Sequence, residues 1–378
     1  MSVITVAATK EPQPETRVAL TPETTRSLTK AGHRVLIESG AGVAAGYTDV
    51  KYADSGAEVS PRLDLSDVDI LAHVAPLQGE RIAALRPGAV TIGMAGPHED
   101  ERVAALVDAN LTAMSFERLP RTSRAQSMDA LSSQALAAGY RAVLEAAIRL
   151  PRFFPLAMTA AGTVPPAKVV VLGIGVAGLQ AIATAKRLGA IVAANDIRPS
   201  SAEEARSVGA TFIEVGLGGE GAGAGGYARA LGQGSAARQR EALAPHIAEA
   251  DVLITTAAVP GRAAPLLVTT EMVRAMRPGS VIVDLAAPTG GNVEGSVAGE
   301  DVLVASTQGE GVVTLVGISS APSDLPTDAS RLFAKNVENV IGLIAHEGEV
   351  VIDFGDDIVD GMTVTHDRVN RIVHPKEG

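Results

Sequence analysis

The chain has 378 residues, enough for two or three domains at ~150 residues each, and its 46% hydrophobic and 20% charged content can bury sizeable cores. A formal charge of −11 argues against nucleic acid or an anionic membrane surface as partner. The absence of Cys removes disulfides, thiolate nucleophiles and Cys-type zinc sites, the seven His include no zinc-hydrolase pair, and 3% aromatics with no Trp leave little for base stacking.

The first ten residues carry no basic stretch leading into a long apolar run, so no secretory signal is expected. No uncharged run reaches the ~20 residues of a spanning helix, which predicts no direct membrane insertion. Residues 3–8 read as a strand and 22–31 as a helix, with Thr21 as N-cap, Pro22 at its first position and Gly32 at its end. Further strands are predicted over 34–38, 69–74 and 89–94, the last two being short apolar runs typical of buried parallel strands. Residues 132–149 form a long Ala-rich helical stretch ended by Leu150-Pro151. After a Pro-containing approach, strands are predicted over 168–172, 191–195, 252–256, 281–285 and 312–318. The chain breaks again at Pro322-Ser323-Asp324-Leu325-Pro326. A helix over 331–345, a short strand over 350–353 and a polar tail complete the pattern. Strands alternating with helices imply an α/β class built from βαβ units.

The strand over 168–172 runs into Gly173-Ile174-Gly175-Val176-Ala177-Gly178, with a helix predicted over 179–188. A G-x-G-x-x-G run between strand and helix is a dinucleotide signature. Gly173 permits the tight turn, Gly175 lets the backbone approach a pyrophosphate, and Gly178 lets the helix pack on the strand. The pyrophosphate then meets the positive end of the helix. Asp196 closes the next strand 18 residues after Gly178. A carboxylate at about that spacing accepts ribose hydroxyls and repels a 2′-phosphate, so NAD(H) is predicted over NADP(H); Arg198 is the weaker, opposing signal.

Two other segments stand out. Residues 121–134 are polar and precede the long helix, with Gln126, Asp129 and Ser132 three apart. They read equally well as a helix-capping region with Asp129 or Ser132 as cap, or as the polar wall of a ligand cleft. Residues 216–235 are Gly-rich around Tyr227. A loop of that length is either a flexible linker or a lid, and the lone Tyr favours the lid.

Lys10-Glu11-Pro12 with Thr16-Arg17-Val18-Ala19-Leu20-Thr21-Pro22 resembles the N-terminal signature of the alanine dehydrogenase and transhydrogenase superfamily. Arg124-Ala125-Gln126-Ser127-Met128-Asp129, Leu131-Ser132-Ser133-Gln134 and Ala138-Gly139-Tyr140-Arg141-Ala142-Val143 are specific to one branch. They resemble the NAD(H)-binding component of the proton-translocating NAD(P) transhydrogenases. Gly225-Gly226-Tyr227-Ala228, Thr255-Thr256-Ala257 with Pro260-Gly261-Arg262, and Val283-Asp284-Leu285-Ala286 with Gly290-Gly291-Asn292 extend the match over essentially the whole chain.

The resemblance implies two Rossmann-like α/β domains with a cleft between them. Residues 1–131 plus 322–378 would form the first, completed by the C-terminal segment, and 132–321 the NAD(H) domain. It implies a homodimer, cytoplasmic and peripheral on the inner membrane, docked on membrane-spanning subunits and a partner domain that holds NADP(H). Hydride would pass directly from NADH to NADP⁺, coupled to proton movement. By position, Arg121, Gln126, Asp129 and Ser132 would line the nicotinamide site. Val176, Asp196, Ile197, Arg198, Gly226, Gln239 and Ala258 would make other NAD(H) contacts, and Tyr227 would belong to the mobile loop. Such a transfer needs no metal, nucleophile or general acid; it needs two rings held within roughly 3–3.5 Å with water excluded.

The rival is an amino-acid dehydrogenase of the alanine dehydrogenase type, which needs a proton donor and a carboxylate clamp. Aligned on Ala75-Pro76-Leu77, that family's lysine position falls on Val74 and its histidine position near Ala95, although His73 and His98 lie close by. Arg17 matches its carboxylate-binding arginine and is read here as a structural or junction residue. A non-enzymatic NAD-binding redox reporter is the second alternative.

Overall fold

A computed structural model describes residues 3–215, 232–258 and 262–372. The chain divides into two compact units, residues 1–134 with 322–378 and residues 135–321. Gly226 and Tyr227 lie outside the described residues.

The chain opens with β1 (Thr5–Ala8), α1 (Pro22–Lys30), β2 (Arg34–Glu38), α2 (Asp49–Ala53) and β3 (Glu58–Ser60). It continues through β4 (Ile70–Ala72), α3 (Gly79–Ala84), β5 (Val90–Gly93), α4 (Asp100–Asp108) and β6 (Thr112–Ser115) to the long helix α5 (Ala130–Arg149). Helix α1 starts where the sequence predicts. The Thr21 side chain accepts from the Thr24 amide, Thr24 Oγ1 in turn accepts the Thr21 amide at 3.0 Å, and Pro22 needs no donor there.

The second unit takes in α5 from Ala135 onward and continues with a hairpin, β7 (Ala157–Thr159) and β8 (Gly162–Val164). Then come β9 (Lys168–Leu172), α6 (Val176–Arg187), β10 (Ile191–Asn195), α7 (Ser201–Ser207), β11 (Thr211–Phe212), α8 (Gln233–Ala248) and β12 (Val252–Thr255). Helix α9 (Thr270–Arg274), β13 (Val281–Asp284), β14 (Asp301–Ala305) and β15 (Val312–Gly317) finish it. The chain returns to the first unit with α10 (Pro326–Ile344), the short pair β16 (Ala345–His346) and β17 (Glu349–Val350), α11 (Asp357–Met362), β18 (Thr363–His366) and β19 (Val369–Asn370).

Each unit holds one large sheet. In the first, the spatial order is β3-β2-β1-β4-β5-β6-β18-β19, parallel from β3 to β6. In the second it is β11-β10-β9-β12-β13-β15-β14, parallel except for the edge strand β14. Both sheets wind outward from their first strand and then resume on its other side, so each has a switch point, between β1 and β4 and between β9 and β12. In open α/β sheets ligands bind beyond the strand ends at such a point. The central strands are buried on both faces, which is why Lys168-Val169-Val170-Val171-Leu172 and its neighbours read as continuous apolar runs.

Three expectations are corrected. Helix α6 begins at Val176, not at 179, so Gly178 stands in its first turn rather than before it. Helix α10 starts at Pro326, not at 331, because Pro serves as an initiating residue there. Residues 350–353 are not a sheet strand: only Val350 pairs, with Ala345. The expected polar tail instead supplies β18, antiparallel to β6. Between Thr363 and Thr365 the register shifts, and Thr365 Oγ1 donates to Leu111 O at 2.8 Å, filling a main-chain role at the irregularity.

Candidate functional site

The Gly173–Gly178 turn sits at the switch point of the second sheet. Gly173 has φ +92°, a left-handed conformation that glycine adopts without strain. Its carbonyl accepts from Thr256 Oγ1 at 3.0 Å, tying the turn to the segment after β12 that carries Ala258. Gly178 is buried, and a Cβ there would lie 1.9 Å from Gly173 O. Gly175 and Val176 are exposed, and a Cβ on Gly175 would meet nothing within 4 Å. The turn therefore leaves open space beside Gly175 at the N-terminus of α6, where an anionic group is favoured by the free amides and the helix dipole. A pyrophosphate fits that cradle.

Asp196 follows β10 and caps the same turn. Its Oδ2 accepts the Ile174 amide at 2.7 Å, and its Oδ1 accepts the Arg198 amide at 2.8 Å. The Arg198 guanidinium bonds both oxygens at 3.0 Å and donates to Ile174 O at 2.9 Å. All four lone-pair sites of the carboxylate are thus engaged. Asp196 holds Arg198's own proton more tightly by that pairing. The sequence shows both residues but not that each neutralises the other. Ile197 is half-buried beside them. Gln239 is buried, with its side-chain nitrogen 3.2 Å from Asn195 Oδ1 at the end of β10. Ala258 is exposed.

Two further residues, Asp284 and Asn292, enter the sequence reading only within the wider match, yet the structure gives them a role at this turn. Asp284 is fully buried and accepts from Thr255 Oγ1, Ala286 N, Asn292 N and Val293 N. Asn292 accepts the Ala257 amide and donates to Ala257 O and Pro265 O, bracketing the segment after β12. Their signal in the sequence is a carboxylate ending an apolar strand followed by Gly290-Gly291-Asn292.

Arg121, Gln126, Asp129 and Ser132 belong to the first unit. Residues Ser123–Met128 form a 3₁₀ turn leading into α5. Asp129 accepts from the Ser132 amide at 2.8 Å and from Ser132 Oγ at 2.5 Å, so Asp129 caps α5. Arg121 and Gln126 are exposed. The capping role and a ligand wall are thus compatible: one carboxylate caps while its neighbours face outward.

At the switch point of the first sheet, Glu11 bridges from the segment after β1 to the amides of Val74 (2.7 Å) and Ala75 (3.0 Å) after β4. Glu15 forks onto Arg17 at 2.8 and 2.7 Å, and Arg17 Nη1 donates to Gln134 Oε1 at 2.7 Å. His73 is 2% exposed, and its Nδ1 donates to Ala75 O at 2.8 Å while Nε2 has no partner.

Burial, partly offset by the two amides, pushes the Glu11 carboxyl up to about 7. Its contribution to stability is therefore complete below 4.5 and is lost as pH rises through about 7. Glu11→Gln should gain on the parent protein by roughly 2–3 kcal/mol between pH 4.5 and 8, read from urea midpoints. An unchanged difference would refute it. Burial pushes His73 the other way, down to about 4, so its contribution is present above 6.5 and lost as pH falls through about 4.

The sequence profile of the alanine dehydrogenase/PNT N-terminal domain matches residues 7–138, and that of the C-terminal domain matches residues 142–374. An NAD(P) transhydrogenase alpha-subunit polypeptide from Rhodospirillum rubrum is 43% identical over 385 aligned positions, covering 98% of both chains. The chain belongs to the alanine dehydrogenase/PNT family. A solved transhydrogenase from Sinorhizobium meliloti superposes with a TM-score of 0.84 at 40% identity, covering 98% of this chain and 99% of that one. An alanine dehydrogenase from Bacillus subtilis is more distant, 33% identical over 74% of this chain and 69% of its own. Within the alanine dehydrogenase/PNT family, the chain therefore stands with the transhydrogenase alpha subunits.

Val74 and Ala95 are buried apolar residues. His73 is sealed in the interior and His98 is exposed. Arg17 is taken by Glu15 and Gln134.

Proposed function

We propose that this chain is the NAD(H)-binding subunit of a proton-translocating NAD(P) transhydrogenase, delivering hydride to NADP⁺ held on a partner domain. The observation that carries the reading is the Gly173–Gly178 turn with Asp196 fastened to it, in a chain whose Arg17 is already occupied and whose His73 is sealed in the interior. NADH supplies the hydride from its reduced nicotinamide ring. The chain's own groups bind and orient. The amides at the start of α6 hold the pyrophosphate beside Gly175. Asp196 takes the ribose hydroxyls at the two sites the Arg198 side chain occupies here, so Arg198 must yield them. Gln126 and Asp129 orient the carboxamide end without moving a proton.

Among the described residues, no helix is long and apolar enough to cross a membrane. As part of the same reading, proton movement belongs to membrane-spanning subunits, on which the chain docks from the cytoplasmic face. The homodimer reading is supported by exposed apolar side chains around the β7–β8 hairpin: Ile148, Phe153, Leu156 and Met158.

The deciding experiment adds pyruvate and ammonium to the full chain with NADH, then an NADP⁺-loaded partner domain. No oxidation in the first case and NADPH formation in the second are expected; steady turnover with pyruvate and ammonium would overturn the reading. Arg17→Ala is expected to leave NADH affinity within about threefold, under ~1 kcal/mol, because Arg17 is spent on Glu15 and Gln134. A larger loss by calorimetry would place Arg17 in the nucleotide site.

A further inference from the structure

The segment that carries Gln126 and Asp129 is held by the far end of the chain. Ser127 O accepts two side-chain amides from α10, Asn336 Nδ2 at 2.9 Å and Asn339 Nδ2 at 2.7 Å. These residues are three apart, on one face of the helix. Asn336 also accepts from Ser133 Oγ at 2.8 Å, reaching the first turn of α5. On the other side, Arg124 forks onto Asp356 at 2.6 and 2.6 Å and touches the carboxylate of Asp357. Asp356 is itself fixed as the N-cap of α11, accepting the Ile358 amide at 2.9 Å. Ala125 and Met128 are buried in the same core as Phe333 and Val337 of α10. Gln126 thus stands exposed between two anchored residues, Arg124 and Ser127, and Asp129 follows directly.

We propose that Asn336 and Asn339, together with Asp356 acting through Arg124, are positioning residues for hydride transfer that set the placement of Gln126 and Asp129. The inference rests on the reading of this segment as the nicotinamide side of the site. Orientation is where such a reaction is most sensitive, since a displacement of about 1 Å can cost about a hundredfold in rate. None of the three residues need touch nucleotide, so binding and turnover should separate.

The test uses the full chain with its NADP⁺-loaded partner domain and measures single-turnover hydride transfer at saturating NADH, NADH affinity and thermal midpoint. Asn339→Ala is expected to slow transfer about tenfold with affinity within about twofold. Asn339→Gln, which keeps a donating amide, should recover most of the rate. Gln126→Ala is run alongside. If Gln126→Ala is slow and Asn339→Ala is not, the clamp is refuted and the site reading stands. If Gln126→Ala is also unimpaired, the site reading fails and the clamp with it. A slow Asn339→Ala that loses thermal stability and NADH affinity in step, with no recovery in Asn339→Gln, marks a purely structural contact and overturns the proposal.

Discussion

Gly178→Val should abolish NADH binding and lower the melting temperature, whereas Gly175→Val, three residues earlier, should leave the fold intact and bind NADH much more weakly. At Gly178 the new Cβ would lie 1.9 Å from Gly173 O and 2.9 Å from Gly173 C, which are main-chain atoms that cannot step aside. Either α6 lifts from β9 or the turn opens, and overpacking of this kind costs about 1–3 kcal/mol or more. At Gly175 a Cβ meets nothing within 4 Å and the backbone is extended, with φ −82° and ψ −166°. A side chain there is tolerated by the protein and excluded only by a ligand. The expected melting temperature of Gly175→Val is within about 2 °C of the parent, with NADH affinity down by roughly thirtyfold, about 2 kcal/mol. Undiminished NADH affinity in Gly175→Val, by fluorescence titration, would remove the pyrophosphate from this turn.

The second large effect is expected at Asp196. Asp196→Ala deprives the Ile174 amide of its acceptor inside the glycine turn and releases the Arg198 guanidinium. Hydrogen bonds to a charged group are worth about 1.5–3 kcal/mol, so NADH affinity should fall about 10–100-fold. The freed cation then stands next to the ribose position, and the disadvantage of NADPH relative to NADH should shrink. Competition titrations with the two reduced nucleotides measure both effects. If the variant discriminates as strongly as the parent, Asp196 does not read the ribose.

Legibility in the sequence depends on distance along the chain. The turn of the second sheet can be read because its parts are local. A strand buried on both faces is a continuous apolar run, three glycines mark the turn, and Asp196 arrives within one βαβ unit. The start of α6 is not readable in the same way, because glycine is a poor helix former and its burial against Gly173 is a tertiary fact. The last strands are hidden for a related reason. Val350-Val351-Ile352-Asp353 looks more strand-like than Thr363-Val364-Thr365-His366, yet only the second segment lies beside the open edge of β6. Strand β14, Asp301-Val302-Leu303-Val304-Ala305, carries an apolar run that the sequence reading leaves unassigned, and in the fold its residues alternate between exposed and half-buried. The 121–134 segment is readable as a cap or as a ligand wall, and local pattern cannot separate the two. The structure places the cap on Asp129 and leaves Gln126 exposed.

The sequence by itself determined the α/β class, the dinucleotide turn and the branch of the family, because each is written in residues close together or in motifs specific enough to stand alone. It also contained Asp196 and Arg198, Glu15 and Arg17, and His73, but not their states. Tertiary structure decided that the Asp196 carboxylate is saturated by its neighbour, that Arg17 is occupied by Glu15 and Gln134, and that His73 is sealed away from any substrate. It also decided that α10 and α11 hold the Gln126 segment, through bonds between residues more than 200 positions apart. Pairing, burial and anchorage depend on what the rest of the chain brings alongside a residue, and composition and spacing carry no record of that.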